Sequence, residues 1–266
     1  MNEFIYVDFD TMGTTATVTM GVEHSWRAAS LRAQMEEVCR WFDHNYSTYQ
    51  PDSTLQKLRA ADRERSSWPQ PFQQLAKEGS SWELATAGHF TMTGPTGQWD
   101  PTGLVKAKAI ESLAILLHAQ GITEFSVNIG GDIRFSDHLD SSALSRVAIN
   151  RPVSVAAGAS APLMVLDLAQ SPYRAIATSG SAERGEHIWT TSSEINQATV
   201  VARDIETADV WATALVSGGE DALQRFIGQG VGEALVLTRD QRMIITTGIS
   251  PLIAESPVPH ELQKAC

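Results

Sequence analysis

The stretch Asp100-Pro-Thr-Gly-Leu-Val-Lys106-Ala-Lys108 decides how this 266-residue chain is read. Pro101 and Gly103 mark a tight turn. Directly after it, Ile110, Leu113, Ala114 and Leu117 recur at spacings of three and four, which is one face of a helix. Asp100 and Lys106 therefore lie where a loop becomes a helix. Backbone N–H groups lack intrahelical partners at such a start, and the helix dipole is positive there. A helix mouth carrying a lysine suits a phosphate, and a nearby carboxylate suits a metal ion or a ribose. The same residues also fit a capped helix with two solvated charges, and this segment alone leaves both readings open.

Upstream, Phe4–Asp10 and Thr14–Met20 are rich in β-branched and aromatic residues and flank Met12-Gly13, so they read as two paired strands with Gly13 relieving the bend. Leu31, Met35, Val38 and Phe42 form a helical stripe that Asp43–Tyr49 is expected to break. A short helix follows through Leu58, with Asp52 or Ser53 as its cap. Pro69–Ala87 reads as a helix with Phe72, Leu75, Ala76 and Leu84 inward and Gly79 as its weak point. Gly88–Gln98 is a loop, and Gly121 ends the helix that follows Asp100.

Downstream the character changes. Phe125–Ile129, Gly130-Gly131-Asp132 and Ile133–Phe135 read as strand, glycine break, strand. Ala143–Asn150, Met164–Ala169, Ala175–Thr178 and Thr199–Ala202 are expected strands. Gly185–Gln197 is expected to be irregular. Thr207–Val216 and Gly219–Ile227 are expected helices, and Ala234–Thr238 with Met243–Thr246 a hairpin. Helices gather in the first half and strands in the second, which argues for α+β.

A net charge of −11 and the lack of a basic stripe argue against a nucleic-acid partner. An acidic chain that binds an anionic nucleotide needs local help from a metal ion or helix N-termini. Cys39 and Cys266 make neither a disulfide framework nor a CxxC knuckle. The start Met1-Asn-Glu-Phe-Ile-Tyr-Val-Asp does not read as a signal peptide or lipoprotein leader, and no apolar run approaches ~20 residues. The expectation is a soluble, cytoplasmic protein with no membrane anchor.

Three further features bear chemistry. Asp209 and Thr213 are four apart in a helical pattern, which puts both oxygens on one face, a hard set suited to Mg²⁺. The same pair also fits a helix start in which Thr207 caps and Asp209 serves the dipole. His187 follows the glycine-bounded stretch Thr178–Gly185 and is either a proton acceptor or one of seven ordinary histidines. Gly130-Gly131-Asp132 is either a close-approach site or a bulge, and it is no dinucleotide fingerprint, because no GxGxxG opens a helix.

Taken in order along the chain, Met12-Gly-Thr14, Ser47-Thr-Tyr49-Gln-Pro-Asp-Ser53, Asp100-Pro-Thr-Gly-Leu-Val-Lys106, Asn128-Ile-Gly-Gly-Asp132, Ala177-Thr-Ser-Gly180, His187-Ile188 and Ala208-Asp209 with Thr213 resemble the ApbE family of FAD:protein FMN transferases over roughly residues 10–240. The resemblance implies an α+β fold, with helices packed on a mixed or antiparallel sheet in one compact two-lobed domain. That domain would cover 1–250, with 251–266 as a C-terminal tail. The implied activity is Mg²⁺-dependent (Mn²⁺ being the alternative metal): FMN passes from FAD to a Thr or Ser hydroxyl of an acceptor protein, with AMP released. By position, Asp209 and Thr213 would hold the metal with the Gly103 carbonyl. Met12, Tyr49, Asp100, Lys106 and Ile188 would line the FAD site, and His187 would be the base. The family's Phe-Asp-Pro-Thr after a glycine stands here as Gly88-His89-Phe90-Thr91-Met92-Thr93, without the acid, and places Phe90, Thr91 and Met92 at the nucleotide. The segment from there to Asp100 is shorter than is usual in the family. Its His-Ile-Ile-Asp-Pro-x-Thr-Gly stands as His187-Ile-Trp-Thr-Thr-Ser-Ser. Two other functions fit the same residues: an FAD pyrophosphatase giving FMN and AMP, and a flavin-binding protein without catalysis.

Overall fold

Two hairpins with the same turn chemistry set one end of the main sheet. Strand β1 (Phe4–Thr11) pairs antiparallel with β2 (Thr14–Gly21), with Thr11 opposite Thr14. The two turn residues, Met12 and Gly13, have φ of 49° and 72°. Positive φ at both positions gives a turn whose twist matches that of the strands. Strands β3 (Phe125–Ile129) and β4 (Asp132–Phe135) repeat the device through Gly130 and Gly131, at φ 61° and 95°. The computed structural model describes residues 4–61, 64–139, 142–152, 162–180, 194–255 and 263–265.

The remaining strands are β5 (Arg146–Ile149), β6 (Met164–Asp167), β7 (Ala175–Gly180), β8 (Ile195–Ala202), β9 (Gly232–Thr238), β10 (Met243–Thr246), β11 (Ile253–Glu255) and β12 (Gln263–Ala265). Nine strands form one sheet in the order β1-β2-β3-β4-β7-β8-β9-β10-β12, antiparallel except for the parallel β10–β12 pair. A second sheet runs β11-β6-β5. The helices are α1 (Ala28–Tyr46), α2 (Thr54–Ala60), α3 (Gln70–Ala85), α4 (Thr102–Ala119), the single turn α5 (Ser142–Ser145) and α6 (Ile205–Gln229).

Two apolar cores follow from this layering. Helices α1, α4 and α6 close the larger one, and Phe135, Leu166, Ile176, Val201, Leu235 and Ile245 belong to the other. Strand β8 is buried along its whole length, with Val200 and Ala202 in the larger core and Val201 in the other. A strand covered on both faces loses the alternation that marks a half-exposed one.

The architecture is the expected α+β type with a mixed sheet, but several elements differ from the sequence reading. Helix α1 does not stop at Asp43; Phe42 and Tyr46 extend its buried stripe, and Ser47 closes it. Part of the expected strand 143–150 is the helical turn α5. Strand β8 begins at Ile195, because Asn196 and Gln197 are buried polar residues and Gln197 Nε2 donates to the Asn150 carbonyl at 3.0 Å. The two expected helices at 207–227 are one run with a kink at Gly219 (φ 62°, ψ −136°). Its cap is Asp204, not Thr207: the Asp204 carboxylate accepts the Thr207 N–H at 2.8 Å and its hydroxyl at 2.9 Å. Leu84, expected inward, is 78% exposed at the end of α3. Gly79 is buried there and admits a neighbouring side chain. In the stretch beyond residue 250, β11 pairs with β6 and β12 with β10.

Candidate active site

A cavity of about 670 Å³ opens between the two-residue turn of the first hairpin, the end of α1, the loop after it and the start of α4. Met12, Gly13 and Thr14 form one side, with Gly130 from the second hairpin. Phe42, Asp43 and Tyr46 come from the last turns of α1, and Ser47 to Gln50 from the loop. Thr102, Val105 and Lys106 come from α4. The volume suits a ligand of nucleotide size. The loop is held from within: Ser47 Oγ accepts the N–H groups of Tyr49 and Gln50 at 3.2 and 3.1 Å, and Ser53 Oγ donates to the Ser47 carbonyl at 2.7 Å. Tyr49 is 71% exposed at this edge. The Tyr46 hydroxyl is held above its ordinary pKa by burial and by Glu78.

Lys106 belongs both to the cavity and to a buried charged cluster. Its ammonium is paired with Asp132, a fully buried carboxylate, and lies 3.7 Å from Asp209 Oδ1. Asp132 follows the glycine turn directly and is fixed by the Thr178 N–H, which donates to its Oδ1 at 3.1 Å. One turn along α6 from Asp209, Thr213 shares a hydrogen bond with Ser179 of β7, Oγ1 to Oγ at 3.2 Å. The starts of α4 and α6, about a hundred residues apart in sequence, therefore meet over β4 and β7. Buried charges are tolerated only when paired, yet Asp209 Oδ2 is buried and accepts no hydrogen bond among the described residues.

That orphaned oxygen is the observation against which a metal can be tested. An anionic oxygen with a hydroxyl one turn away on α6 is a hard oxygen pair of the kind that Mg²⁺ takes. Among the described residues there is no group of three or more His, Cys, Asp or Glu. Cys39 is no alternative nucleophile, because burial pushes its thiol up to about 11.

The other expected residues take different places. Asp100 Oδ1 accepts the Thr102 N–H at 2.9 Å and its hydroxyl at 2.7 Å, so its carboxylate organises the first turn of α4. Phe90 and Met92 are buried, and Thr91 Oγ1 accepts the Thr93 N–H at 3.1 Å. A methyl placed on Gly103 would stand 2.9 Å from the Phe90 ring, one on Gly79 2.0 Å from Met92 Cε, and one on Gly218 2.3 Å from His89 Nδ1. The segment 89–92 is thus seated against glycines of α3, α4 and α6, outside the cavity lining. His187 and Ile188 lie outside the described residues. Asp132, Phe42 and Asp43 are among the residues of the site and its charged cluster that were not marked as site residues from the sequence. Asp132 had a signal, since a carboxylate follows two glycines at a hairpin turn. Phe42 was read only as part of the apolar stripe of α1, and Asp43 had no signal, because the expected helix end put it beyond regular structure.

Fold and cavity together define a class of protein: an α+β sandwich with a nucleotide-sized cleft beside a buried lysine–carboxylate cluster. The chain belongs to the ApbE family, whose family model matches residues 12–96 and 93–236. Among solved structures it is similar to the flavin transferase ApbE from Vibrio cholerae, with a TM-score of 0.76 and 21% identity over 95% of this chain and 100% of that one. It is similar to the apo form of the flavinyl transferase ApbE of Pseudomonas stutzeri, at TM-score 0.72 and 18% identity over 95% and 98%. The ApbE protein of Thermotoga maritima superposes at TM-score 0.76 and 14% identity over 95% and 100%. Comparison with curated proteins returns no match.

Proposed function

We propose that this chain transfers FMN from FAD to a Thr or Ser hydroxyl of an acceptor protein and releases AMP, in a reaction that needs Mg²⁺ or Mn²⁺. The observation that carries the reading is Lys106, which lines the cavity while its ammonium is held by Asp132 beside Asp209. Membership of the ApbE family supports it.

The roles are those the family resemblance implies, and the cavity lining supports those of Met12, Tyr49 and Lys106. Met12 and Tyr49 contact the flavin nucleotide, and Lys106 faces the diphosphate. Asp100 keeps the start of α4 in register, so that its free N–H groups meet the same anion. Asp209 and Thr213, with the Gly103 carbonyl, would hold the metal, and the buried Oδ2 of Asp209 fits that use. Bound there, a divalent cation supplies positive charge to the diphosphate oxygens as AMP departs. His187 takes the proton of the acceptor hydroxyl, which is a poor nucleophile unassisted. The acceptor oxygen forms a bond to the FMN phosphorus, and the bond from that phosphorus to the bridging oxygen breaks. AMP leaves with the bridging oxygen and its electron pair.

The test is intact-mass analysis after incubation with FAD, Mg²⁺ and an acceptor domain bearing a Ser/Thr flavinylation motif. The reading expects a mass gain equal to FMN, lost in Asp209→Ala. AMP released at the same rate without acceptor would replace transfer by hydrolysis. Absence of AMP under all conditions would leave only a flavin-binding protein.

A further inference from the structure

The walls of the cavity differ in character. One is the start of α4, the positive end of a helix dipole, lined by Thr102, Val105 and Lys106, whose ammonium is paired with Asp132. Another is the end of α1, where the dipole is negative and Asp43 adds a carboxylate between Phe42 and Tyr46. Asp43 Oδ2 accepts the N–H of Met12 at 3.2 Å, which ties the turn residue at φ 49° to the helix. Its Oδ1 accepts no hydrogen bond among the described residues. A phosphate belongs at the start of α4, where the dipole end is positive, since at Asp43 it would meet like charge and the wrong dipole end. An aromatic wall bearing one carboxylate suits an uncharged ring or sugar that carries N–H or O–H donors.

We propose that Asp43 is the specificity residue for the uncharged end of the substrate. It accepts a hydrogen bond from a ring N–H or a sugar hydroxyl and rejects anionic groups there, while its other oxygen holds Met12 in place. The inference rests on the flavin-nucleotide reading of the cavity and names the residue that orients the ligand within it. The donor could belong to the flavin with its ribityl chain or to the adenosine half, and the test separates the two.

Two variants divide the roles of Asp43. Asn in Asp43→Asn can still accept the Met12 N–H, but it presents an amide donor in place of the second acceptor oxygen. Asp43→Ala removes both. Dissociation constants for FAD, riboflavin, ADP and inorganic pyrophosphate are measured by calorimetry on the full chain, with thermal midpoints as the folding control. Loss of one charge-assisted hydrogen bond predicts FAD weakened ~10–100-fold in both variants, with pyrophosphate unchanged. Riboflavin weakened and ADP unchanged assigns the donor to the flavin half, and the converse assigns it to adenosine. Wild-type FAD affinity in Asp43→Asn would overturn the proposal, as would equal weakening of all four ligands, which would show a structural role alone. If the wild-type chain binds no FAD, the flavin-nucleotide reading fails first, and that result is distinct from either outcome in the variants.

Discussion

The first two turns of α4 face two unlike surroundings. At Gly103 the helix accepts the Phe90 ring, part of an apolar seat in which residues 89–92 fill spaces left by glycines on three helices. At Lys106, three residues on, it enters a buried polar cluster with Asp132 and Asp209. The first region is stabilised by close contact and tolerates no added volume. The second pairs charges at a desolvation cost that apolar packing of similar shape avoids. A helix start placed so that its backbone and lysine both reach a cavity explains why buried charge is kept there. The seat fixes the helix, and the cluster holds the charges that the proposed reaction would use.

Substitutions can separate the two regions. The largest effect is expected from His187→Ala, which should lower the transfer rate ~10²–10⁴-fold with FAD affinity unchanged, as positioned acid–base groups do; single-turnover kinetics beside calorimetry checks it. Next is Lys106→Met. It leaves Asp132 and Asp209 facing each other without their shared cation, and removal of one partner from a buried pair costs ~3–5 kcal/mol. Urea unfolding should show that loss, and FAD binding should weaken with it. Gly103→Ala acts on the seat: displacing the Phe90 ring should cost ~1–3 kcal/mol of stability in urea unfolding.

The smallest effect belongs to a charged site outside both regions. Lys108 of α4 bridges Glu78 of α3 at 2.7 Å and Glu206 of α6 at 2.6 Å. Burial pulls its pKa down, but the two hydrogen-bonded carboxylates outweigh burial and raise it above its ordinary value. The charged form is therefore favoured in the folded state. Its contribution is fully present below the unfolded value and is lost as pH rises through the raised one. For so accessible a bridge, Lys108→Gln should cost at most ~1 kcal/mol at neutral pH. The difference from wild type should close only in strongly alkaline solution, as thermal midpoints across pH would show.

What could be read from the chain follows the range of each interaction. The hairpin turns at Met12-Gly13 and Gly130-Gly131 were legible because positive φ is a local demand. The cap at Ser53, whose hydroxyl accepts the Gln56 N–H at 3.1 Å, was legible for the same reason. Gly79 was misread because what fills it, Met92, comes from another part of the chain. Leu84 looked like a core residue by spacing, yet it is 78% exposed at the end of α3. In the site, Asp209 and Lys106 stood out as residue types at helix starts, and the fold brings them to 3.7 Å. The pairing of Lys106 with Asp132 joins two helix and strand starts that no local pattern connects. Asp43 was hidden by the misplaced end of α1.

The central claim is that Asp209 and its neighbours form a divalent-cation site beside a diphosphate. Mn²⁺ binding followed by electron paramagnetic resonance, with and without FAD, in wild type and in Asp209→Ala, tests it most directly. The account predicts that wild type binds the ion more tightly when FAD is present and that Asp209→Ala, still folded, binds neither well. Equal Mn²⁺ affinity in the two proteins would contradict it.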